Sequence, residues 1–175
     1  VVSVGHANQR VAEAAASQLR TLVHVSNLFY TLPMIELAER LAGLSGLDRV
    51  FFANCGATAN EAAIKLGRRW GQTTKGPGCF EVISLLDSFH GRTLATLAAT
   101  GQPAKQATFA PLPPGFRQVP SGDIDALSSA VSEKTAAIMI ETLQGEGGVL
   151  PLSGKYLTEV RELCDRNGVA LIVDD

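Results

Sequence analysis

The sequence predicts an α/β fold, a mostly parallel sheet with helices on both faces. Apolar runs without polar alternation, such as Glu81–Leu86 and Ala136–Ile140, are typical of strands buried on both sides. Segments of helical period separate these runs, and strands that alternate with helices pair in parallel through right-handed crossovers. The chain has 175 residues, of which 46% are hydrophobic, so it is long enough to bury a core.

The first half of the chain is predicted to be mainly helical. Apolar side chains recur at helical spacing over residues 8–22, and Pro33 opens a second helix that Gly46 ends. Arg49–Phe52 is predicted to be a short buried strand, followed by a third helix over Gly56–Trp70. The second helix is expected to bury a stripe of leucines, namely Leu37, Leu41 and Leu44.

Strands and helices alternate through the second half. Residues 101–120 are rich in Pro and Gly, which predicts an irregular excursion with one extended piece near 117–119. Asp123 is expected to cap the helix that follows it. Ser153–Asn167 is predicted to be a helix, and Val169–Val173 is predicted to be the last strand.

Composition argues against several classes of function. The net charge is −2 and Arg68–Arg69 is the only adjacent basic pair, so the chain is not expected to bind nucleic acid. No apolar run reaches the roughly 18 residues of a membrane-spanning helix. Three cysteines without a Cys-x-x-Cys pair indicate reduced thiols in a cytoplasmic protein, and no metal site is expected. The chain starts without Met, so we expect it to begin within a longer protein.

Polar residues follow the predicted strands. Asn54 comes after the run that ends at Phe52, Asp87 follows the strand at 81–86, Glu141 follows Ile140, and Asp174 follows Val173. In open α/β sheets, ligands bind beyond the carboxyl ends of the strands. The sequence therefore predicts one site at this edge of the sheet.

Two of these motifs indicate contacts to an anionic, planar ligand. Gly56 lies at a helix start, where free N–H groups can hold a phosphate, although a plain tight turn is the simpler alternative. The Phe89 ring can stack on a planar ligand and Arg92 can bind a carboxylate in a fork. The alternative is a core phenylalanine beside a solvated arginine. His90 is expected to pack or to hydrogen-bond rather than to act as a base.

Three carboxylates in the later motifs can be interpreted either as functional groups or as ordinary surface residues. Asp174 ends an apolar strand, and burying it requires a partner, for which a protonated ring nitrogen is suitable. An exposed aspartate at a strand end is the alternative. Glu141 and Glu146 lie in a Gly-rich segment and can pair with cations or with a substrate ammonium group. Their alternative is a mobile surface loop.

Together and in this order, these motifs resemble the class III, or ornithine-type, aminotransferases, which are fold type I pyridoxal-phosphate enzymes. The resemblance covers essentially the whole chain and is strongest to the acetylornithine-type members of the class. It is carried by four polar runs, Asn54–Glu61, Ser88–Thr93, Glu141–Gly148 and Ile172–Asp175. Supporting stretches are His24–Tyr30, Arg49–Phe52, Gln102–Gln106 and Phe109–Leu112.

The resemblance implies pyridoxal 5'-phosphate as the cofactor and assigns it five contacts. Gly56 and Ala57 would bind the phosphate through their backbones. Phe89 would stack on the pyridine ring. Glu141 would support the polar network around the ring, and Asp174 would pair with the ring nitrogen.

The resemblance also assigns two substrate contacts. Arg92 would bind a substrate carboxylate, and Glu146 would be the switchable partner of a family arginine that separates the two half-reactions. The chain departs from the family pattern at several positions, and none of the changes removes a group with a clear chemical role. Asn8-Gln9 replaces His-Pro, Cys55 stands where the family usually has Ser or Thr, Thr58 and Asp175 each replace Glu, and Thr142 replaces Pro.

The resemblance implies that residues 1–175 are part of a large cofactor-binding domain truncated at both ends. The N-terminal segment, the Schiff-base lysine region and the C-terminal small domain would lie outside it. All five lysines precede Asp174 and none lies at a strand end among the motifs, so no catalytic lysine is assigned here. The chain alone is therefore expected not to turn over.

The expected parent reaction is transfer of an amino group from N-acetylornithine to 2-oxoglutarate in arginine biosynthesis. The enzyme is expected to be a cytoplasmic homodimer that acts on small amino acids and 2-oxo acids, away from membranes. Two alternatives stay open. One is another class III enzyme acting on ornithine, succinyldiaminopimelate or 4-aminobutyrate. The other is a non-catalytic fragment that binds anions or a partner.

Overall fold

A computed structural model describes residues 2–175, except for the side chain of residue 27. Val1 and that side chain, which fall in the predicted domain and in the supporting run His24–Tyr30, lie outside the described residues. The chain divides into a helical unit, Val1–Phe51, and an α/β unit, Phe52–Asp175. No helix within residues 2–175 combines the length and apolar character needed to cross a bilayer.

Two helices make up most of the first unit. α1 (Gln9–Thr21) begins where the Asn8 side chain accepts a hydrogen bond from a backbone N–H of the first turn. α2 (Leu32–Ser45) ends at Gly46, whose φ of 70° is left-handed. Both predicted helices are therefore confirmed. Between them lies a short 3₁₀ helix, Ser26–Leu28.

The leucine stripe predicted for α2 is not buried. Leu37, Leu41 and Leu44 are 48%, 39% and 84% exposed, and neither helix buries any of its described residues. The prediction of a buried stripe is wrong. The physical reason is size, because a pair of helices has too little chain to cover both of its apolar stripes.

A four-stranded parallel sheet forms the centre of the second unit. Its strands are β1 (Glu81–Leu85), β2 (Phe116–Val119), β3 (Thr135–Ile140) and β6 (Ala170–Val173), which lie in the order β2-β1-β3-β6. These strands confirm the predicted ones. A separate antiparallel hairpin is formed by β4 (Leu143–Gln144) and β5 (Leu150–Pro151).

Helices cover both faces of this sheet. They are α3 (Gly56–Lys75), α4 (Leu94–Ala99), α5 (Pro103–Ala107), α6 (Ile124–Ala130) and α7 (Gly154–Asn167). On one face, Leu127 of α6 and Val160 of α7 share a core with Ile138. On the other face, Ile64 of α3 shares a core with Met139. Neighbouring residues of β3 thus point into different cores, as continuous apolar strands predict.

Three segments differ from the prediction. Arg49–Phe52 is irregular and forms no strand in the described part of the chain, so Asn54 follows a loop and not a strand. Four apolar residues do not distinguish a strand from coil, and a strand persists only beside a pairing partner. Residues 101–120, predicted to be irregular, contain α5, which begins at Pro103 because proline is tolerated in the first helical turn. The short helix α4 was not predicted either.

The strand order places a crevice at one edge of the sheet. The chain passes from β1 to β2 on one side, then returns past β1 to β3 and β6 on the other side. The direction of winding therefore reverses between β1 and β3. Ligands of open α/β sheets bind beyond the carboxyl ends of the strands at such a reversal.

Candidate active site

A cavity of about 690 Å³ lies at this reversal, beyond the ends of β1, β3 and β6. Six of the seven site residues predicted from the sequence line it, namely Gly56, Ala57, Phe89, Arg92, Glu141 and Asp174. Glu146 is not among the lining residues. The long-range convergence of these side chains follows from parallel pairing, which brings the carboxyl ends of the strands to one edge.

The start of α3 forms one wall of the cavity. Gly56 and Ala57 are its first residues, and helix geometry leaves their N–H groups without intrahelical partners. The Thr58 hydroxyl accepts the Cys55 N–H at 3.1 Å, as a residue in the third helical position does in a capping box. Thr58 thus performs this role in place of the family glutamate. The positive end of the helix dipole and the free N–H groups suit an anion.

The loop after β1 approaches α3 closely at Gly91. Its φ is 135°, and a Cβ there would lie 2.6 Å from the Thr96 hydroxyl and 2.9 Å from the Ala57 Cβ. Any side chain would push the loop away from the helix start. Glycine at this position therefore keeps the Phe89 loop and the start of α3 on the same cavity.

The end of β3 is tied to the same loop through Glu141. The Phe89 N–H donates to a Glu141 carboxylate oxygen at 2.8 Å, and Phe89 itself is half-buried. Burial raises the pKa of Glu141 above its usual range, and the hydrogen bond from Phe89 opposes that effect. The carboxylate therefore orients the backbone of the residue whose ring lines the cavity.

Asp174 is held at the end of β6 by two residues that were not predicted. The Asn60 amide of α3 donates to Asp174 Oδ2 at 2.7 Å, and His90 Nδ1 lies 2.9 Å from the same oxygen. His90 was expected to pack or hydrogen-bond, and its side chain is fully buried. A signal for Asn60 existed in the sequence. It follows Gly56 by one helical turn, so both lie on one face of α3.

Arg92 and Lys105 lie near the Phe89 ring, and Glu146 contacts Lys105. The Arg92 guanidinium carbon is 5.9 Å and the Lys105 ammonium 4.9 Å from the ring centroid. Lys105 also pairs with Glu146 at 2.9 Å, which lowers the pKa of Glu146. No lysine was expected at a strand end among the motifs, and Lys105 is carried instead by α5, a helix that was not predicted.

Two departures from the family pattern contact each other. The Asp175 carboxylate accepts hydrogen bonds from the Thr142 N–H at 3.2 Å and from the Thr142 hydroxyl at 2.6 Å. A proline at position 142 would offer neither donor. The two substitutions are therefore compatible as a pair, at neighbouring strand ends of the cavity.

Comparison with known proteins shows that this chain is similar to aminotransferases. Acetylornithine aminotransferase of Methanocaldococcus jannaschii is 53% identical to this chain over 175 residues, which are 100% of the chain and 44% of that protein. N-acetylornithine aminotransferase from Stenotrophomonas maltophilia K279a superposes with a TM-score of 0.81 at 35% identity, over 99% of this chain and 42% of that one. The chain thus spans less than half the length of these relatives.

A third comparison includes a cofactor. Ornithine aminotransferase from Toxoplasma gondii, crystallized with oxidized glutathione, has pyridoxal phosphate at partial occupancy in its active site. It superposes with a TM-score of 0.91 at 32% identity, over 98% of this chain and 42% of that one. The family model "Aminotransferase class-III" matches residues 1–175. With its whole length matched, this chain belongs to the class III aminotransferase family.

Proposed function

We propose that the full-length protein carrying this chain transfers an amino group from N-acetylornithine to 2-oxoglutarate, with pyridoxal 5'-phosphate as cofactor. The observation that carries the proposal is the convergence of Gly56, Phe89 and Asp174 on one cavity in a class III chain. The 53% identity to an acetylornithine aminotransferase supports the choice of amine donor. The reaction would serve arginine biosynthesis in the cytoplasm.

The residues of the cavity fit the cofactor chemically. The cavity lining offers the N–H groups of Gly56 and Ala57 to an anion, the Phe89 ring to a flat group, and the Asp174 carboxylate to a protonated nitrogen. Asp174 Oδ2 is already hydrogen-bonded, whereas no hydrogen bond within residues 2–175 reaches Oδ1. The donor set therefore matches a phosphate, a flat ring and a ring nitrogen.

Each side chain has a defined task in this proposal. When bound, the cofactor supplies an electron sink for the substrate carbon that loses its proton. Asp174 would hold a proton on the ring nitrogen, and Phe89 would stack on the ring. Arg92 would bind the substrate carboxylate, and Glu141 would orient the Phe89 backbone. Glu146 would serve as the carboxylate that changes partner between substrates.

The chain is proposed to be part of the large domain of this enzyme, which would act as a homodimer. Residues 52–175 contribute the sheet and one side of the cofactor site. The lysine that would hold the cofactor would come from the region of the full-length protein that follows Asp175.

The test uses the full-length enzyme and a panel of amine donors with 2-oxoglutarate. We expect kcat/KM to be highest for N-acetylornithine, above ornithine, 4-aminobutyrate and succinyldiaminopimelate. Asp174→Asn should reduce kcat at least about a hundredfold, because it removes a charge at the reacting ring. Asp125→Asn, at an exposed residue of α6, is the matched control and should retain activity. A higher kcat/KM for another donor would overturn the proposal that N-acetylornithine is the substrate. Full activity in Asp174→Asn would overturn the proposed cofactor site.

A further inference from the structure

A buried amide links three separate segments beside the cavity. Asn60 of α3 is 7% exposed, and its Nδ2 donates to the His90 carbonyl oxygen at 2.8 Å and to Asp174 Oδ2 at 2.7 Å. These segments are the second turn of a helix, the loop after β1 and the end of β6. Because both contacts are acceptors, the orientation of the amide is determined; its oxygen cannot take the place of its nitrogen.

The two donors on Asp174 Oδ2 determine which oxygen faces the cavity. His90 Nδ1 lies 2.9 Å from Oδ2, so this oxygen accepts from a ring nitrogen and from the Asn60 amide. Within residues 2–175, Oδ1 accepts no hydrogen bond, and Asp174 lines the cavity. A carboxylate fixed through one oxygen cannot turn freely, and its other oxygen is oriented before any ligand arrives.

Asn60 and His90 differ as donors. A histidine nitrogen donates only in the matching tautomer or when protonated, whereas a side-chain amide donates at every pH at which the protein is folded. Asn60 also holds the His90 backbone, so it orients both the aspartate and the segment that carries the second donor. Loss of Asn60 would therefore loosen both contacts to Oδ2.

We propose that Asn60 is a positioning residue for the cofactor, which orients Asp174 so that Oδ1 meets the ring nitrogen. This inference rests on the proposed function, since it needs a ring nitrogen in the cavity. It assigns a role in cofactor recognition to a residue in the interior of α3, one turn beyond the phosphate contacts. Asn60 acts through Asp174 and touches no reacting atom.

The test compares two ligands on the cofactor-free, full-length protein. One is pyridoxal phosphate and the other is its 1-deaza analogue, in which a C–H group replaces the ring nitrogen. Both carry the same aldehyde and phosphate, so the ratio of their dissociation constants isolates the ring nitrogen. In the unsubstituted protein, pyridoxal phosphate should bind more tightly. Asn60→Leu should reduce that preference about tenfold, while binding of the analogue changes less than about twofold.

Three further variants make the result specific. Asn60→Ser, a smaller change, should reduce the preference in the same direction if Asn60→Leu folds poorly. Gln118→Leu is the control, because it removes a half-buried amide that does not line the cavity. The Gln118 amide donates to the Ala98 carbonyl oxygen at 2.8 Å, and its loss should leave the preference for pyridoxal phosphate unchanged. In an Asp174→Ala background, Asn60→Leu should produce no additional loss of preference.

The outcomes separate the two proposals. Equal weakening of both ligands by the Asn60 variants would mean that Asn60 only supports the fold, and would overturn its positioning role. An undiminished preference in these variants would overturn it as well. If the unsubstituted protein shows no preference for pyridoxal phosphate, the pairing of Asp174 with a ring nitrogen fails, and the positioning role fails with it.

Discussion

At the scale of single residues, the three cysteines differ in exposure, and the thiols of Cys55 and Cys164 also differ in acidity. Cys55 is exposed beside the cavity, whereas Cys79 and Cys164 are buried. A hydrogen bond from the Thr58 hydroxyl is the main cause that lowers the pKa of Cys55, and burial raises the pKa of Cys164 to about 11. Because the thiolate is the nucleophile, these environments should separate their reactivities.

We expect iodoacetamide at pH 7.5 to alkylate Cys55 first in the folded protein, and Cys79 and Cys164 only after unfolding. Peptide mapping by mass spectrometry over time measures each rate. Thr58→Val keeps the side-chain shape but removes the hydroxyl, so alkylation of Cys55 should slow several-fold. Labelling of Cys164 as fast as Cys55 in the native protein would contradict the assigned burial.

At the scale of elements, α3 packs closely against β3 at Gly71. A Cβ at Gly71 would lie 2.7 Å from the Ala136 Cβ and 2.9 Å from the Cys79 carbonyl oxygen. These atoms belong to the sheet and to the backbone before β1, so they cannot move aside easily. The close approach also brings Asn60, on the same helix, within reach of Asp174.

Gly71→Ala should destabilise the protein although alanine is the better helix former. Helix propensity favours alanine by about 1 kcal/mol, whereas overpacking costs about 1–3 kcal/mol, and contact with backbone favours the upper part of that range. We expect a net loss of about 1–2 kcal/mol in the free energy of urea unfolding. Gly154→Ala in α7, where a Cβ has no neighbour within 4 Å, is the control. A control loss as large as that of Gly71→Ala would refute the packing argument.

At the scale of the whole molecule, Glu141 makes stability depend on pH. Its folded-state pKa is raised, mainly by burial, above an unfolded value of about 4.3. Between these two pKa values the folded state binds the proton that the unfolded state releases. Stability therefore falls as pH rises through this window, and the loss is complete above the folded-state pKa.

Glu141→Gln removes this cost and keeps an oxygen that can accept the Phe89 N–H. Without cofactor, the variant should unfold at a higher urea concentration than the unsubstituted protein at pH 7–8, with the difference vanishing near pH 4. Glu133→Gln, on an exposed residue, serves as the comparison and should not show this change with pH. A difference in unfolding midpoint between the two proteins that grows toward low pH would contradict the predicted direction of the pH dependence.

How much of this structure can be predicted from the sequence depends on how far apart in the chain the interacting residues lie. The alternation of apolar runs with helical periods determined the sheet, its parallel pairing, the first helix over about residues 8–22, the helix end at Gly46 and the cap at Asp123, because these depend on nearby residues. Strand ends marked by Glu141 and Asp174 were enough to predict a shared edge, since parallel strands direct their carboxyl ends to one side.

Only the tertiary structure decided what those residues contact. The pair of Asn60 and Asp174 is separated by 114 residues, and the pair of Lys105 and Glu146 by 41. The tertiary structure also decided that the run at Arg49–Phe52 formed no strand and that the leucines of α2 stayed exposed. Periodicity records which face of an element is apolar, whereas pairing and burial depend on the neighbour that the folded chain brings to that face.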